Sequence, residues 1–146
     1  MNSTMAKFGY PNTLIKEYVH WALLLRPQQA TLGALVLICK EESDTFSNIA
    51  LEAFSELKEI TAAIERHLDH CFSYDKINYL MLMMVDKDVH FHVLPRYAHP
   101  RFFEEEKFND PGWPGPPDLA QANKVGEMTN KMILHTLQQA FAEGVS

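Results

Sequence analysis

The sequence predicts an α+β fold in which helices pack on one antiparallel sheet. Three observations lead to this prediction: a long segment with helical periodicity, a second such segment near the C-terminus, and four apolar runs with the character of strands. Their order along the chain is β-β-α-β-β-α. The 146 residues fit one domain, so we expect a single unit over 1–146, with a core at about 14–118 and a C-terminal helix at about 119–141.

The first two apolar runs precede the long helical segment. Residues 14–25 predict one strand, whose apolar face includes Val19. After a turn segment that ends near Gly33, residues 34–39 (ALVLIC) are apolar on both faces. This is typical of a central strand, although six residues alone also fit a turn of buried helix.

Two helices are predicted where apolar residues recur every three or four positions. The first begins at a cap supplied by Ser43 or Asp44 and continues to Cys71. The second covers about 119–141 and follows a proline-rich loop, NDPGWPGPPD, at 109–118. We expect both helices to pack on the sheet through their apolar stripes.

The last two strands are predicted between these helices. Residues 77–85 and 89–97 form apolar runs that are separated by a short charged segment, DKD. A connection this short joins neighbouring strands as an antiparallel pair.

The net charge of −6 argues against nucleic-acid binding, because such a chain repels a phosphate backbone over most of its surface. A small phosphate ligand remains compatible, since a local pocket can differ in sign from the whole. No run reaches the roughly 18 apolar residues of a membrane span. Cys39 and Cys71 lie in apolar stretches, as reduced thiols do. We therefore expect a cytoplasmic protein with no nucleic-acid or membrane partner.

The segment DVHFHVLPRY, residues 88–97, carries the predicted chemistry. Because side chains alternate across a strand, Asp88, His90 and His92 share one face and the apolar residues between them share the other. Three interpretations fit this pattern. The histidines are half-buried polar residues without a special role, or the acid and the imidazoles form a metal site. Alternatively, they perform nucleophilic or acid–base catalysis, for which imidazole is suited by a pKa near neutrality.

These residues resemble the signature of the histidine-triad (HIT) family, His-φ-His-φ-His-φ-φ, in which φ is apolar. The corresponding residues here are Asp88-Val89-His90-Phe91-His92-Val93-Leu94, followed by Pro95-Arg96. The segment TLGALVLICK, with Gly33, is similar to the glycine-led strand of the family. Asn78 and the DPGWPGPP loop at 110–117 are similar to features of a bacterial branch that resembles diadenosine polyphosphate hydrolases. Together these similarities cover most of 14–118.

The resemblance implies a HIT-like fold, which is an antiparallel sheet of about five strands with one long helix packed on it and a C-terminal helix. It also implies that His90 attacks the α-phosphorus of a nucleotide and forms a nucleotidyl-histidine intermediate, which water resolves. His92 would hold the phosphate oxygens or orient the nucleophile. The expected substrates are dinucleoside polyphosphates or nucleoside phosphoramidates. A homodimer is expected, and no cofactor or metal.

Four more residues are candidates for substrate binding, and each also fits a plain structural role. Asn78 can donate its amide to a phosphate. Arg26 stands where some members use a polar residue near the ribose or base, and Arg96 shares the side-chain parity of both histidines. Trp113 belongs to the proline-rich loop, which we expect to form a stiff flap near the pocket or the subunit boundary; a polyproline ligand for a partner domain also fits.

Asp88 departs from the family pattern, because it stands where the first histidine of the triad is expected. A carboxylate about 4 Å from a phosphate costs roughly 1 to 4 kcal/mol. Asp88 therefore turns away and accepts a hydrogen bond, raises the basicity of a neighbouring imidazole, or recruits a divalent cation. We expect His90 to be indispensable and Asp88 to tune the reaction. Two alternatives stay open: a nucleotide-binding or sensing module without turnover, and a metal-dependent phosphohydrolase.

Overall fold

The computed structural model describes residues 1–143. The helices and strands, in chain order, are α1 (Ser3–Lys7), β1 (Leu14–Glu17), β2 (Trp21–Leu25), β3 (Leu35–Cys39), α2 (Leu51–Phe72), β4 (Lys76–Leu80), β5 (His90–Arg96), β6 (Arg101–Phe103), β7 (Glu106–Phe108) and α3 (Glu127–Glu143). Among the described residues, no helix combines the length and the apolar character that a membrane span requires.

The centre of the fold is a five-stranded antiparallel sheet with the order β1-β2-β3-β5-β4. The predicted α+β class and the sheet of about five strands are thereby confirmed. β5 lies between β3 and β4, and its residues His90 and His92 pair with Ile38 and Val36 of β3. β6 and β7 form a separate two-stranded hairpin, which the sequence did not predict.

The two faces of the sheet are covered differently. On one face, α2 and α3 pack on alternate residues of the strands, and Trp21 donates its indole N–H to the carbonyl of Ala53 in α2 (2.8 Å). The opposite face carries a smaller apolar cluster, in which Met5 and Phe8 contact Val36 and Ile38. His90 and His92 lie on this second face, because they pair directly with those two residues of β3. The short N-terminal helix therefore covers part of the face that carries the histidines.

The predicted strand at 14–25 is instead a hairpin of β1 and β2. The chain reverses at 18–20, where the amide of Tyr18 bonds to the carbonyl of Trp21. Glu56 of α2 accepts hydrogen bonds from the backbone N–H groups of Val19 (3.1 Å) and His20 (2.8 Å). The carboxylate of a residue distant in sequence thus satisfies the backbone donors of the turn. Val19, predicted to lie on the apolar face, is 76% exposed.

Both predicted helices begin later than expected. α2 begins at Leu51 with Ala50 as its cap, because Ser43 is used in a local turn with Thr45 and a single 3-10 turn follows it. α3 begins at Glu127, not near Leu119. Residues 119–126 are held in a non-helical path because Asn123 bonds to the backbone carbonyls of residues 29, 30 and 109.

The strand predicted at 77–85 ends at Leu80. Met83 has a φ of 51°, which lies in the left-handed region and is incompatible with extended backbone. The segment 81–89 therefore leaves the sheet before the chain returns in β5 at His90. Its exposed apolar side chains are Leu82, Met84 and Val85.

Candidate functional site

The two histidines of β5 line one cavity of about 420 Å³. Their ring centroids are 5.2 Å apart and the ring planes are nearly perpendicular, at 81°. Four segments contribute the other walls, and the lining residues are Lys7, Phe8, Arg26, Pro27, Gln28, Leu82, Met83, Met84, Val85, Asp86 and Leu119. The structure thus brings His90, His92 and Arg26 together, as three of the residues that the sequence singled out.

A backbone hydrogen bond fixes the orientation of His90. Its Nδ1 lies 2.7 Å from the carbonyl oxygen of Asp88. Since a carbonyl can only accept, Nδ1 must carry the proton, and Nε2 of the neutral ring keeps its lone pair. His90 is only 1% exposed, because α1 lies over this face. Its remaining access is through the cavity.

His92 is held as a neutral imidazole. Burial, followed by the nearby charge of Arg26 and the adjacent His90, lowers the pKa of His92 to about 4. Its Nδ1 is buried and has no hydrogen-bond partner within 1–143. A neutral ring with an unused nitrogen can still accept or donate one hydrogen bond to a ligand.

Arg26 places a cation in the same cavity. The residue is 8% exposed, one terminal nitrogen (Nη1) donates to the carbonyl of Gln28 (2.7 Å), and Nε is buried without a partner among the described residues. Burial lowers the pKa of Arg26, but a guanidinium stays protonated in proteins. A buried cation with unused donors is costly unless a ligand supplies the counter-charge. The cavity is therefore prepared for an anion, although the chain as a whole is negative.

The side chain of Asp88 bonds to α1 and to Lys87 rather than to the histidine rings. Its Oδ2 accepts hydrogen bonds from the hydroxyl (2.9 Å) and the amide (3.2 Å) of Thr4, with Ser3 at 3.4 Å, while Lys87 lies 3.2 Å from Oδ1. Burial raises the pKa of Asp88, but the bonds from Thr4 and the pair with Lys87 outweigh it and leave the pKa below its usual value. Asp88 thus stays charged and fastens α1 to the start of β5.

Two residues of the cavity come from α1, which the sequence analysis missed. The ring of Phe8 lies 5.8 Å from that of His92, edge to face, and 6.3 Å from that of His90. Lys7 forms an ion pair with Asp86 (2.6 Å) at the cavity wall. The local sequence carries one signal for the helix, since Asn2 can cap it and accepts the amide of Met5. The contact of its Thr4 with Asp88, 84 residues away, has no sequence signature.

Asn78, Arg96 and Trp113 come together at a second cavity of about 480 Å³, not at the histidines. Arg96 has the predicted parity, but it lies four residues beyond His92, about 13 Å along the strand. It bonds to both carboxylate oxygens of Asp110 (2.7 and 3.0 Å), to the side-chain oxygen of Asn78 (2.7 Å) and to a backbone carbonyl. Through these contacts the guanidinium of Arg96 anchors the proline-rich loop.

Asp88, His90 and His92 do not form a metal site. Within the part of the chain that the structure describes, no three His, Cys, Asp or Glu side chains are grouped so that they could hold an ion. The carboxylate of Asp88 is instead engaged by Thr4 and Lys87.

Comparisons with known proteins agree with this geometry at the level of the fold. Neither protein-family models nor curated protein sequences give a significant match. Among solved structures, the chain is similar to a histidine triad protein from Marinobacter aquaeolei VT8, with a TM-score of 0.75, 19% identity, and coverage of 98% of this chain and 96% of that chain. A histidine triad protein from Sinorhizobium meliloti 1021 gives a TM-score of 0.74, 17% identity, and coverage of 96% and 95%.

A more distant similarity is to the diadenosine triphosphate hydrolase of Plasmodium falciparum in complex with cyclomarin A. Its TM-score is 0.64, with 7% identity and coverage of 91% of this chain and 79% of that chain. Identities this low establish a shared architecture, whereas any activity has to be argued from the residues of the site. The chain has the fold of histidine-triad proteins, as the sequence motif predicted.

Proposed function

We propose that this chain is a HIT-family enzyme that cleaves a nucleotide at its α-phosphorus, with His90 as the nucleophile. The observation that carries the proposal is the hydrogen bond from His90 Nδ1 to the carbonyl of Asp88, which leaves the Nε2 lone pair for attack. A cavity that holds this ring beside a guanidinium whose Nε has no partner among the described residues suits a phosphoryl group.

The proposed reaction has two steps. In the first, the Nε2 lone pair attacks the α-phosphorus, the bond from phosphorus to the leaving group breaks, and the leaving group departs with the electron pair. A polyphosphate departs as an anion, whereas an amine takes up one proton from solvent as it departs. The resulting nucleotidyl-imidazolium is stabilised because its Nδ1–H donates to the Asp88 carbonyl. In the second step, water attacks the phosphorus, the N–P bond breaks, and one water proton is released to solvent. His90 regains its lone pair, and a nucleoside monophosphate is formed.

The other residues of the cavity support these steps. Arg26 offsets the negative charge that grows on the phosphoryl oxygens, and neutral His92 bonds to one of them. Asp88 acts through its backbone carbonyl and through α1, and has no direct contact with substrate in this proposal. Asn78, Arg96 and Trp113 have no role in this chemistry, because they line the other cavity.

The first test is release of AMP from diadenosine polyphosphates and from an adenosine phosphoramidate. His90→Ala should lower turnover by about a thousandfold or more, because the nucleophile is lost. His135→Ala is the matched control, since His135 is exposed on α3. Protein quenched in alkaline denaturant, in which an N–P bond to imidazole is stable, should carry one nucleotidyl group in the wild type and none in His90→Ala. Binding of nucleotide without AMP release would identify a sensing module, and full turnover by His90→Ala would refute the mechanism.

We also propose that the chain forms a homodimer, as the resemblance implies. β4 is an edge strand of the sheet, and exposed apolar residues, Leu82, Met84 and Val85, follow it. Sedimentation equilibrium should give twice the mass of the chain, and a monomer at high concentration would contradict this. The cytoplasmic location expected from the sequence stays a prediction.

A further inference from the structure

The ion pair between Lys7 and Asp86 is a second connection between two segments that already bond through Thr4 and Asp88. Lys7 ends α1, and Asp86 belongs to the segment 81–89 that leaves the sheet. Their charged atoms are 2.6 Å apart, and both residues line the cavity of His90 and His92.

This pair is poorly suited to a structural role. The side chain of Lys7 is 52% exposed and that of Asp86 is 15% exposed, and an ion pair with one partner in solvent contributes little to stability. α1 is already held in place by Thr4, which bonds to Asp88, and by Asn2, which donates to the carbonyl of Cys39 in β3 (2.8 Å). The long, flexible side chain of a lysine can exchange one anionic partner for another at small cost.

Both charges act on the interior of the cavity. Asp86 raises the pKa of His92 and Lys7 lowers it, so each lies near enough to influence that ring. Arg26 is the deeper cation, and Lys7 stands nearer the solvent. A substrate whose α-phosphate reaches Arg26 would extend any further phosphates toward Lys7.

We propose that Lys7 is a specificity-determining residue, which leaves Asp86 when substrate binds and contacts the phosphates of the leaving group. This inference rests on the proposed function and narrows its substrate class to nucleotides whose leaving group is anionic, rather than phosphoramidates that release a neutral amine. Asp86 holds Lys7 in place while the cavity is empty and opposes the anionic leaving group until the exchange.

The test compares Lys7→Met and Asp86→Asn on a diadenosine polyphosphate and on an adenosine phosphoramidate. Lys7→Met should lower kcat/KM for the polyphosphate about tenfold, because a charge-assisted contact is lost, and change the phosphoramidate by less than about twofold. Asp86→Asn should act in the opposite direction and lower KM for the polyphosphate by about two- to fivefold, because a like charge is removed. The double variant with Lys7→Met and Asp86→Asn should recover only part of the kcat/KM that Lys7→Met loses on the polyphosphate. Lys131→Met is the matched control, since Lys131 is an exposed lysine paired with Glu127.

The sign of the Asp86→Asn effect distinguishes the proposed role of Lys7 in specificity from a purely structural role of the ion pair. A merely structural ion pair would be broken equally by either substitution, so both variants would lose activity on both substrates, and this outcome overturns the proposal. Unchanged polyphosphate kinetics in Lys7→Met would do the same.

Binding provides a readout that does not depend on turnover. Calorimetry with ATP and AMP as probes should show that Lys7→Met weakens ATP and leaves AMP unchanged. If the wild type binds these probes but releases no AMP from either substrate, the proposed function fails while the role of Lys7 is still decided. Equal affinities of wild type and Lys7→Met for ATP would refute that role.

Discussion

Arg26 and Arg96 are both buried arginines, 8% and 3% exposed, yet they occupy opposite surroundings. Arg96 donates to a carboxylate, an amide oxygen and a backbone carbonyl. Arg26 donates to one backbone carbonyl and keeps Nε unpaired among the described residues. A guanidinium whose donors are used within the protein stabilises a loop, whereas one with unused donors beside two histidines is prepared for a ligand. Side-chain parity along the strand favoured Arg96, but the structure places it at the other cavity.

The largest effect on stability is expected from a substitution at Arg96. Arg96→Met leaves the carboxylate of Asp110, which is fully buried, without its cation. We expect the free energy of unfolding to fall by about 3 to 5 kcal/mol in urea titrations. The folded fraction should keep its kcat. Loss of activity at unchanged stability would instead make Arg96 a substrate residue.

Arg26→Met should lower activity and leave stability nearly unchanged, which is the reverse of the result expected for Arg96→Met. The loss of a cation that faces the developing phosphoryl charge should lower kcat/KM about a hundredfold. The free energy of unfolding should stay within about 1 kcal/mol of the wild type, because the substitution removes a buried charge without a strong partner. Stopped assays of AMP release and urea titrations on the same preparation measure both quantities. A large loss of stability with normal kinetics would contradict the assignment of Arg26 to the ligand.

Asp88→Asn tests the connection between α1 and β5. The variant weakens the bonds to Thr4 and Lys87, so the free energy of unfolding at pH 7 should fall by about 1 to 2 kcal/mol. Since the folded state lowers the pKa of Asp88, this stabilisation is present above the usual value of 3.8 and is lost as the pH falls through the lower folded pKa. Wild type and variant should therefore converge in stability below about pH 4. A difference that persists in acid would exclude the charge as its source.

The smallest effect concerns the titration of His92. Because the charge of Arg26 is the second cause of its lowered pKa, after burial, Arg26→Met should raise the pKa of His92 from about 4 toward the usual 6.5 without reaching it. Arg96→Met should leave it unchanged. NMR titration of the His92 ring protons measures both variants, and an equal shift in the two would show that Arg26 has no special influence.

The sequence predicted the parts of this fold that depend on local periodicity. The alternation along 88–94 gave the shared face of His90 and His92, and the apolar stripe of 51–72 gave the long helix. Asp88 was placed on the same strand, but β5 begins at His90. A side chain that accepts a hydrogen bond and turns away from the phosphate was among the alternatives considered.

Long-range contacts account for what was missed. Glu56 of α2 turns the predicted strand at 14–25 into a hairpin, and Asn123 delays the start of α3. The packing of α1 over the histidines depends on a bond between Thr4 and Asp88, which no periodicity encodes. Only the structure therefore identifies Lys7 and Phe8 as residues of the site.

The acceptor that orients His90 is a main-chain oxygen, and every amino acid supplies one at that position. No substitution at residue 88 removes it, so the first motif position can change its side chain without disturbing the orientation of the His90 ring. In this chain that freedom is used to attach a helix. A search pattern that insists on three histidines would overlook proteins built in this way, whereas a pattern of two alternate histidines would retain them.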